Sequence, residues 1–231
     1  MKAVILSSGG VDSTTCLALA VRDYGADNVA TISVFYGQKH QRELTAARHV
    51  AAHYGVRHNE YDLAPVFRGS TCALLSGAPH DIEHRSYAEQ LAERNGCGVS
   101  TYVPFRNGLM LSVAASAAGS IFEGEDLRLY LGAHADDAAG NAYADCSEAF
   151  ITAMDSAISV GTYGRIRLVA PFVGKTKAEV VKTGLALGVP YELTWSCYEG
   201  GEKPCGVCAT CRDRAAAFHA NGAKDPALER K

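Results

Sequence analysis

The sequence lacks a large charge of either sign, a long apolar run, an internal repeat and any low-complexity tract. Its 22 lysines and arginines against 25 acidic residues leave a formal net charge of −3 and a pI near 6.2. That gives no broad basic field for gripping a long polyanion, so nucleic acid is not an expected partner. The apolar stretch after Met1-Lys2 soon runs into glycines. It is too short for a secretory h-region or a membrane span, and cytoplasm is the expected compartment, with no membrane partner. Disorder is excluded as well, because 48% hydrophobic against 20% charged residues is an ordinary globular balance.

Two common nucleotide signatures are also missing. No Gly-Lys-Ser or Gly-Lys-Thr follows the first glycines, so there is no Walker A loop, and the three-glycine dinucleotide fingerprint is absent.

What is present is alternation. Ala3–Leu6 reads as a buried strand, a helix follows from Asp12 to Tyr24, and Val29–Phe35 reads as a second strand. A helix over Arg42–Tyr54 ends at Gly55, and a third strand is expected at Val56–Leu63. Further units follow: a helix from Asn107 to about Phe122, a strand at Leu127–Gly132, a helix within Ser147–Ser159, a strand at Ile166–Ala170, and a helix from about Thr176 to Leu187. This order predicts an α/β fold, a doubly wound and mainly parallel open sheet. The expected division is a catalytic domain over 1–190, with an irregular insertion or lid at about 65–101, and a small cysteine-bearing subdomain over 191–231.

Ser7-Ser8-Gly9-Gly10-Val11-Asp12-Ser13 lies between the first strand and first helix. Glycines there let backbone amides approach a ligand, and the helix dipole favours an anion such as polyphosphate. Near the C-terminus, Cys197-x7-Cys205-x2-Cys208-x2-Cys211 brings four of the eight cysteines within fifteen residues, among turn-forming glycines and Pro204. In a reducing compartment this spacing reads as a closed structural Zn²⁺ site, with an iron–sulfur cluster as the rival. Cys16, Cys72 and Cys97 have no close partners and read as buried or incidental thiols.

Ser8-Gly9-Gly10-Val11-Asp12-Ser13 resembles the Ser-Gly-Gly-x-Asp-Ser signature of the PP-loop ATP pyrophosphatases, which split ATP between its α and β phosphates. The resemblance implies that Ser7, Ser8, Gly9, Gly10, Val11, Asp12, Ser13, Thr14, Thr15, Cys16 and Leu17 form the ATP-binding stretch. Asp12 would stand near magnesium-bound phosphates, and Asp12, Ser13 and Arg106 are the expected catalytic residues.

Further motifs narrow the resemblance. Val103-Pro104-Phe105-Arg106-Asn107, Gly132-Ala133-His134-Ala135-Asp136-Asp137, Tyr143-Ala144-Asp145-Cys146, Ser196-Cys197-Tyr198-Glu199-Gly200-Gly201-Glu202-Lys203 and Tyr36-Gly37-Gln38 together look like the 7-cyano-7-deazaguanine synthase family, nearly end to end. That family makes a nitrile from 7-carboxy-7-deazaguanine, ammonia and ATP, and has a four-cysteine zinc site. The resemblance implies a small-molecule ligase with ATP and Mg²⁺ and one structural zinc, and a homodimer is expected. Arg106, His134, Tyr143 and Asp145 are the expected substrate-binding residues.

One departure is Ala144, standing where the family commonly has proline beside the expected base pocket. Asp145 would accept hydrogen bonds from the guanine-like edge, or else cap the helix beginning near Ser147. Asp136 and Asp137 are left without a proton-transfer role. Two other functions fit the same loop: a PP-loop tRNA-thiolating enzyme, and a non-catalytic nucleotide sensor stabilised by zinc.

Overall fold

The computed structural model describes residues 1–93 and 98–228. Five parallel strands form one sheet in the order β3-β2-β1-β4-β5. They are β1 (Lys2–Leu6), β2 (Val29–Phe35), β3 (Arg57–Asp62), β4 (Leu127–Tyr130) and β5 (Ile166–Val169). Central β1 reads as an unbroken apolar run because both of its faces are covered. Val4 and Leu6 pack against α4 (Arg106–Ile121) and α6 (Glu148–Gly161), whereas Ala3 and Ile5 join a core built with α1 (Val11–Tyr24), α7 (Lys177–Ala186) and α8 (Ala209–Ala220). Period-two alternation thus splits one strand between two cores.

Edge strand β3 is polar and half-exposed, and it is one residue shorter at each end than the expected strand. Val56 completes the end of α2 (Arg42–Tyr54), where its N–H bonds Ala51 O at 3.1 Å, so it is not free to pair in the sheet. Gly55, at φ 65°, makes the left-handed turn that stops α2.

Within the expected insertion, the chain is tied down more than its weak periodicity suggested. Cys72, Ala73, Leu74 and Leu75 are buried, and Leu75 forms an isolated bridge with Gln38. A short helix α3 (Tyr87–Glu93) follows, and the buried Gln90 accepts from Ser100 N at 3.1 Å. Gly96 and Cys97, part of that expected insertion, lie outside the described residues.

After α7 comes a helix that the sequence reading did not anticipate, α8. Its buried face is Ala209, Cys211, Arg214, Ala217 and Phe218, too small and too mixed to show as an apolar stripe. Arg214 fits there because Asp225 accepts two of its N–H groups at 2.7 and 2.8 Å, while Thr194 Oγ1 takes a third at 2.8 Å. Tyr191 and Phe218 share a core with α1 and α7, so the C-terminal segment is fastened to the sheet layer. No helix among the described residues is long and apolar enough to cross a membrane.

Candidate active site

The strand order reverses between β1 and β4, and open α/β sheets bind ligands in the crevice beyond the carboxyl ends of such strands. A cavity of about 230 Å³ sits there, walled by Leu6, Ser7 and Ser8 at the end of β1 and by Leu131, Gly132, Ala133 and His134 after β4.

At one end stands the start of α1. Gly10 is the N-cap and no side chain caps the helix, which leaves the first amides open to an anion. Gly9 adopts φ 73°, and a Cβ there would collide with the backbone of Glu43 and Ala47, so the loop lies directly on the first turns of α2. Ser13 Oγ accepts from Ser8 N at 3.1 Å and lies 3.1 Å from Ser8 Oγ, which fixes the loop's shape. Gly132 leaves room on the other side, since a Cβ would come within 2.9 Å of Asp12 C and Ser13 N.

Of the expected ATP-binding stretch, Ser7, Ser8, Gly10, Asp12 and Ser13 line the cavity. Val11, Cys16 and Leu17 face the core instead, and Thr15 is turned inward onto Val11 O and the Tyr191 hydroxyl at 2.8 and 2.9 Å. Helical geometry explains this, because only one face of the first turns meets the crevice. Thr14 is buried, and its hydroxyl has no partner among the described residues.

Asp12 is joined by two groups from distant elements. Lys177, first residue of α7, bonds Asp12 Oδ2 at 2.5 Å and lies 3.4 Å from His134 Nε2. His134 Nε2 is 3.2 Å from Asp137 Oδ2 and 3.8 Å from Asp12 Oδ1. Burial acts to raise the Asp12 carboxyl, but Lys177 and His134 outweigh it and hold it below its ordinary value. Asp137 is raised, because burial there exceeds the pull of the same two groups. Asp12 Oδ1 is buried without a hydrogen-bond partner among the described residues. His134, expected among the substrate-binding residues, is therefore grouped with the phosphate end. Asp136, on the short helix α5 (Ala135–Ala138), accepts from Lys177 N at 2.7 Å and anchors the start of α7.

The far end is aromatic. Arg106 follows Phe105, whose φ of 55° marks a strained turn worth about 1–3 kcal/mol. Its guanidinium lies over the Tyr36 ring at 5.1 Å and donates to the Tyr36 hydroxyl at 3.2 Å, with no ion pair among the described residues. Tyr87, Tyr143 and Tyr198 close the chamber: Tyr87 and Tyr198 hydroxyls are 2.9 Å apart, and Tyr143 lies 3.4 and 3.5 Å from them. Burial pushes all three phenols up, so they stay neutral. Glu43, on the first turn of α2, also lines the wall, and burial pushes its carboxyl up to about 7 against the opposing pull of Arg106.

Asp145 differs from its expected role. Its Oδ2 accepts from Asn107 N at 2.9 Å and its backbone carbonyl from Asn107 Nδ2 at 3.1 Å, so it ties down the start of α4 and does not line the cavity. The helix after it is capped by Ser147, which accepts from Phe150 N.

Cys197, Cys205, Cys208 and Cys211 place their sulfurs within 4.8 Å of one another, a separation that fits four thiolates around one tetrahedral metal ion. Backbone N–H groups of Cys205, Val207 and Cys208 donate to sulfur at 3.3–3.4 Å. Hydrogen bonds among these thiols pull Cys197 down and push Cys208 and Cys211 up.

Lys177 and Glu43 were missed by the sequence reading. A lysine at a helix's first position opposes the macrodipole, and this was the available signal for Lys177. Glu43 gave none, since an acidic residue in a helix's first turn is ordinary.

An open parallel sheet with an uncapped glycine loop at its switch point defines a PP-loop-type nucleotide-binding fold. A U34-tRNA thiolase, NcsA, from Methanococcus maripaludis, solved with an iron–sulfur cluster, shares that fold at TM-score 0.50. The two are 16% identical over 96% of this chain and 67% of that one, a likeness of fold alone. Residues 2–222 match the family described as Queuosine biosynthesis protein QueC, and the chain belongs to that family. It is 42% identical over 229 residues to a 7-cyano-7-deazaguanine synthase of Archaeoglobus fulgidus, covering 99% of this chain and 90% of that protein. The enzyme of that name from Pseudoalteromonas atlantica is 36% identical, covering 97% of each.

Proposed function

We propose that the chain is an ATP-consuming ligase that converts 7-carboxy-7-deazaguanine and ammonia to 7-cyano-7-deazaguanine. One observation carries the reading at this site: a cavity joins an anion-binding helix start to a chamber holding an arginine that makes no ion pair among the described residues.

A carboxylate does not accept ammonia at neutral pH because its oxygen is a poor leaving group. The acid would lie in the tyrosine chamber with its carboxylate on Arg106, whose planar fork suits two oxygens. That carboxylate attacks the α-phosphorus of ATP. Pyrophosphate departs onto the amides of Val11 to Ser13, shaped by the Ser8–Ser13 contact. Ammonia displaces AMP and leaves an amide. A carboxylate has two oxygens and a nitrile none, so the amide oxygen must be activated in turn by a second ATP. The protein's part is to hold two anions together, to offset their repulsion with aligned donors, and to exclude water from the adenylate.

Asp12 suits Mg²⁺, because its Oδ1 is buried without a donor. When bound, the ion would neutralise phosphate charge. The four cysteines suit one Zn²⁺, which would contribute folding energy to the C-terminal segment over 191–231.

Pyrophosphate exchange into ATP tests the reading. It should depend on the deazapurine acid, and each nitrile formed should be matched by two AMP. Exchange that ignores the acid but responds to tRNA would overturn it in favour of a tRNA-thiolating enzyme.

A further inference from the structure

Carboxylates in this cavity fall into two groups. Asp12 and Asp137 belong to the phosphate end, engaged by Lys177 and His134, and Asp213 faces the same pair. Glu43 stands apart from them. It feels Arg106, Cys197 and Tyr36 as its charged and titratable neighbours, yet its carboxylate makes no hydrogen bond or ion pair among the described residues.

Its position is fixed. Gly9 packs directly against the Glu43 backbone, and the next residue, Leu44, is buried at 4% exposure, so the pyrophosphate loop and the Glu43 turn form one rigid wall. Arg106, the nearby cation, is occupied with the Tyr36 ring and hydroxyl. One unpaired cation and one unpaired anion therefore face the same chamber without touching. A half-buried carboxylate without a partner is costly unless a ligand supplies the counter-charge.

We propose that Glu43 forms an ammonium-binding subsite, holding the cation beside the acyl adenylate and accepting a proton from it. This rests on the ligase reading and deepens it. The reaction's nitrogen arrives mainly as ammonium at neutral pH, which has no lone pair. One proton passes to a Glu43 oxygen. The freed lone pair forms the C–N bond, the acyl–oxygen bond breaks with its electrons leaving on AMP, and the second proton lost by nitrogen goes to water. Glu43 then returns its proton to solvent.

Hydroxylamine separates this role from a merely structural one, because it is largely unprotonated at neutral pH and needs no such base. Glu43→Gln and Glu43→Asp are compared with wild type for acid-driven pyrophosphate exchange, which needs no amine, and for turnover with each amine. In Glu43→Gln, kcat/KM for ammonium should fall about a hundredfold, the usual scale of general-base catalysis. Exchange and hydroxylamine turnover should stay within about threefold of wild type, with Glu43→Asp recovering part of the ammonium rate. Equal losses with both amines, or unchanged ammonium kinetics, would overturn the proposal while leaving the ligase reading intact. If Glu43→Gln does not fold, the ammonium-to-hydroxylamine ratio in Glu43→Asp decides: a drop supports the subsite and an unchanged ratio overturns it. Wild-type protein without acid-driven exchange would overturn the ligase reading and the subsite together.

Discussion

Lys177 Nζ and Asp12 Oδ2 meet at 2.5 Å across 165 residues of sequence, joining the first turn of α7 to the first turn of α1. The contact sets the charge of the phosphate end, since Lys177 is the strongest influence opposing burial at Asp12. A carboxyl held low contributes stability above its unfolded value, about 3.9, and loses it as pH falls through the folded value.

Lys177→Met should therefore act twice. With Lys177 gone, burial dominates at Asp12 and its carboxyl rises, so the acid limb of pyrophosphate exchange should move to higher pH. Exchange at neutral pH should fall about a hundredfold, the scale of losing one charged stabiliser in a closed site. Exchange measured from acid to neutral pH checks both, and an unmoved acid limb would separate Lys177 from Asp12.

Ser13→Ala removes the oxygen that accepts from Ser8 N and the partner of Ser8 Oγ. The loop then loses its internal support as well as a hydroxyl facing the cavity. Exchange should drop about tenfold or more while the circular dichroism spectrum is kept. Full activity would mean that the amides alone shape the pyrophosphate site.

Purified protein should contain one zinc per chain, and Cys208→Ser should lose it. Cys208 is fully buried and stands directly before α8, so metal loss should lower Tm and release the C-terminal segment to proteases. Elemental analysis reads the metal. Iron with visible absorption would replace zinc by a cluster, and stable protein without metal would remove both.

What was legible in the sequence was local. Ala3–Leu6, the glycine loop and the Cys197–Cys211 spacing each carry their signal within a few residues, and each lies in the structure as the pattern implied. What was not legible depends on partners far away. Arg214 reads as a surface charge until Asp225 and Thr194 are seen around it, and this hid α8. Asp145 neither lines the cavity nor caps the following helix, the two expected roles. It instead anchors α4, thirty-eight residues earlier.

That position changes what Asp145 should do on substitution. Asn accepts at a helix start about as well as Asp, so Asp145→Asn should leave kcat/KM for the deazapurine acid within about threefold of wild type. Asp145→Ala leaves Asn107 N without its acceptor and should cost about 1 kcal/mol of stability. Because Arg106 precedes Asn107, the alanine variant should also raise KM for the acid while sparing ATP. A large loss in Asp145→Asn alone would bring the carboxylate back into the substrate pocket.

The tyrosine chamber supplies the last test. Tyr198 follows Cys197 directly, and its hydroxyl lies 2.9 Å from that of Tyr87 on α3. One hydrogen bond thus ties the four-cysteine knot to α3. Tyr198→Phe keeps the ring and deletes the hydroxyl, leaving Tyr87 with Tyr143 at 3.4 Å as its remaining hydroxyl neighbour. A buried polar group left poorly paired costs about 1–3 kcal/mol. If that cost falls on the closed chamber, KM for the deazapurine acid should rise about tenfold, with KM for ATP and metal content unchanged. Protease cleavage near α3 should speed up, because the helix loses its tie to the knot. If the cluster serves only the fold, Tm should fall while both KM values stay at wild type, and the substrate would then be held by Arg106 and Tyr36 without the tyrosine cluster.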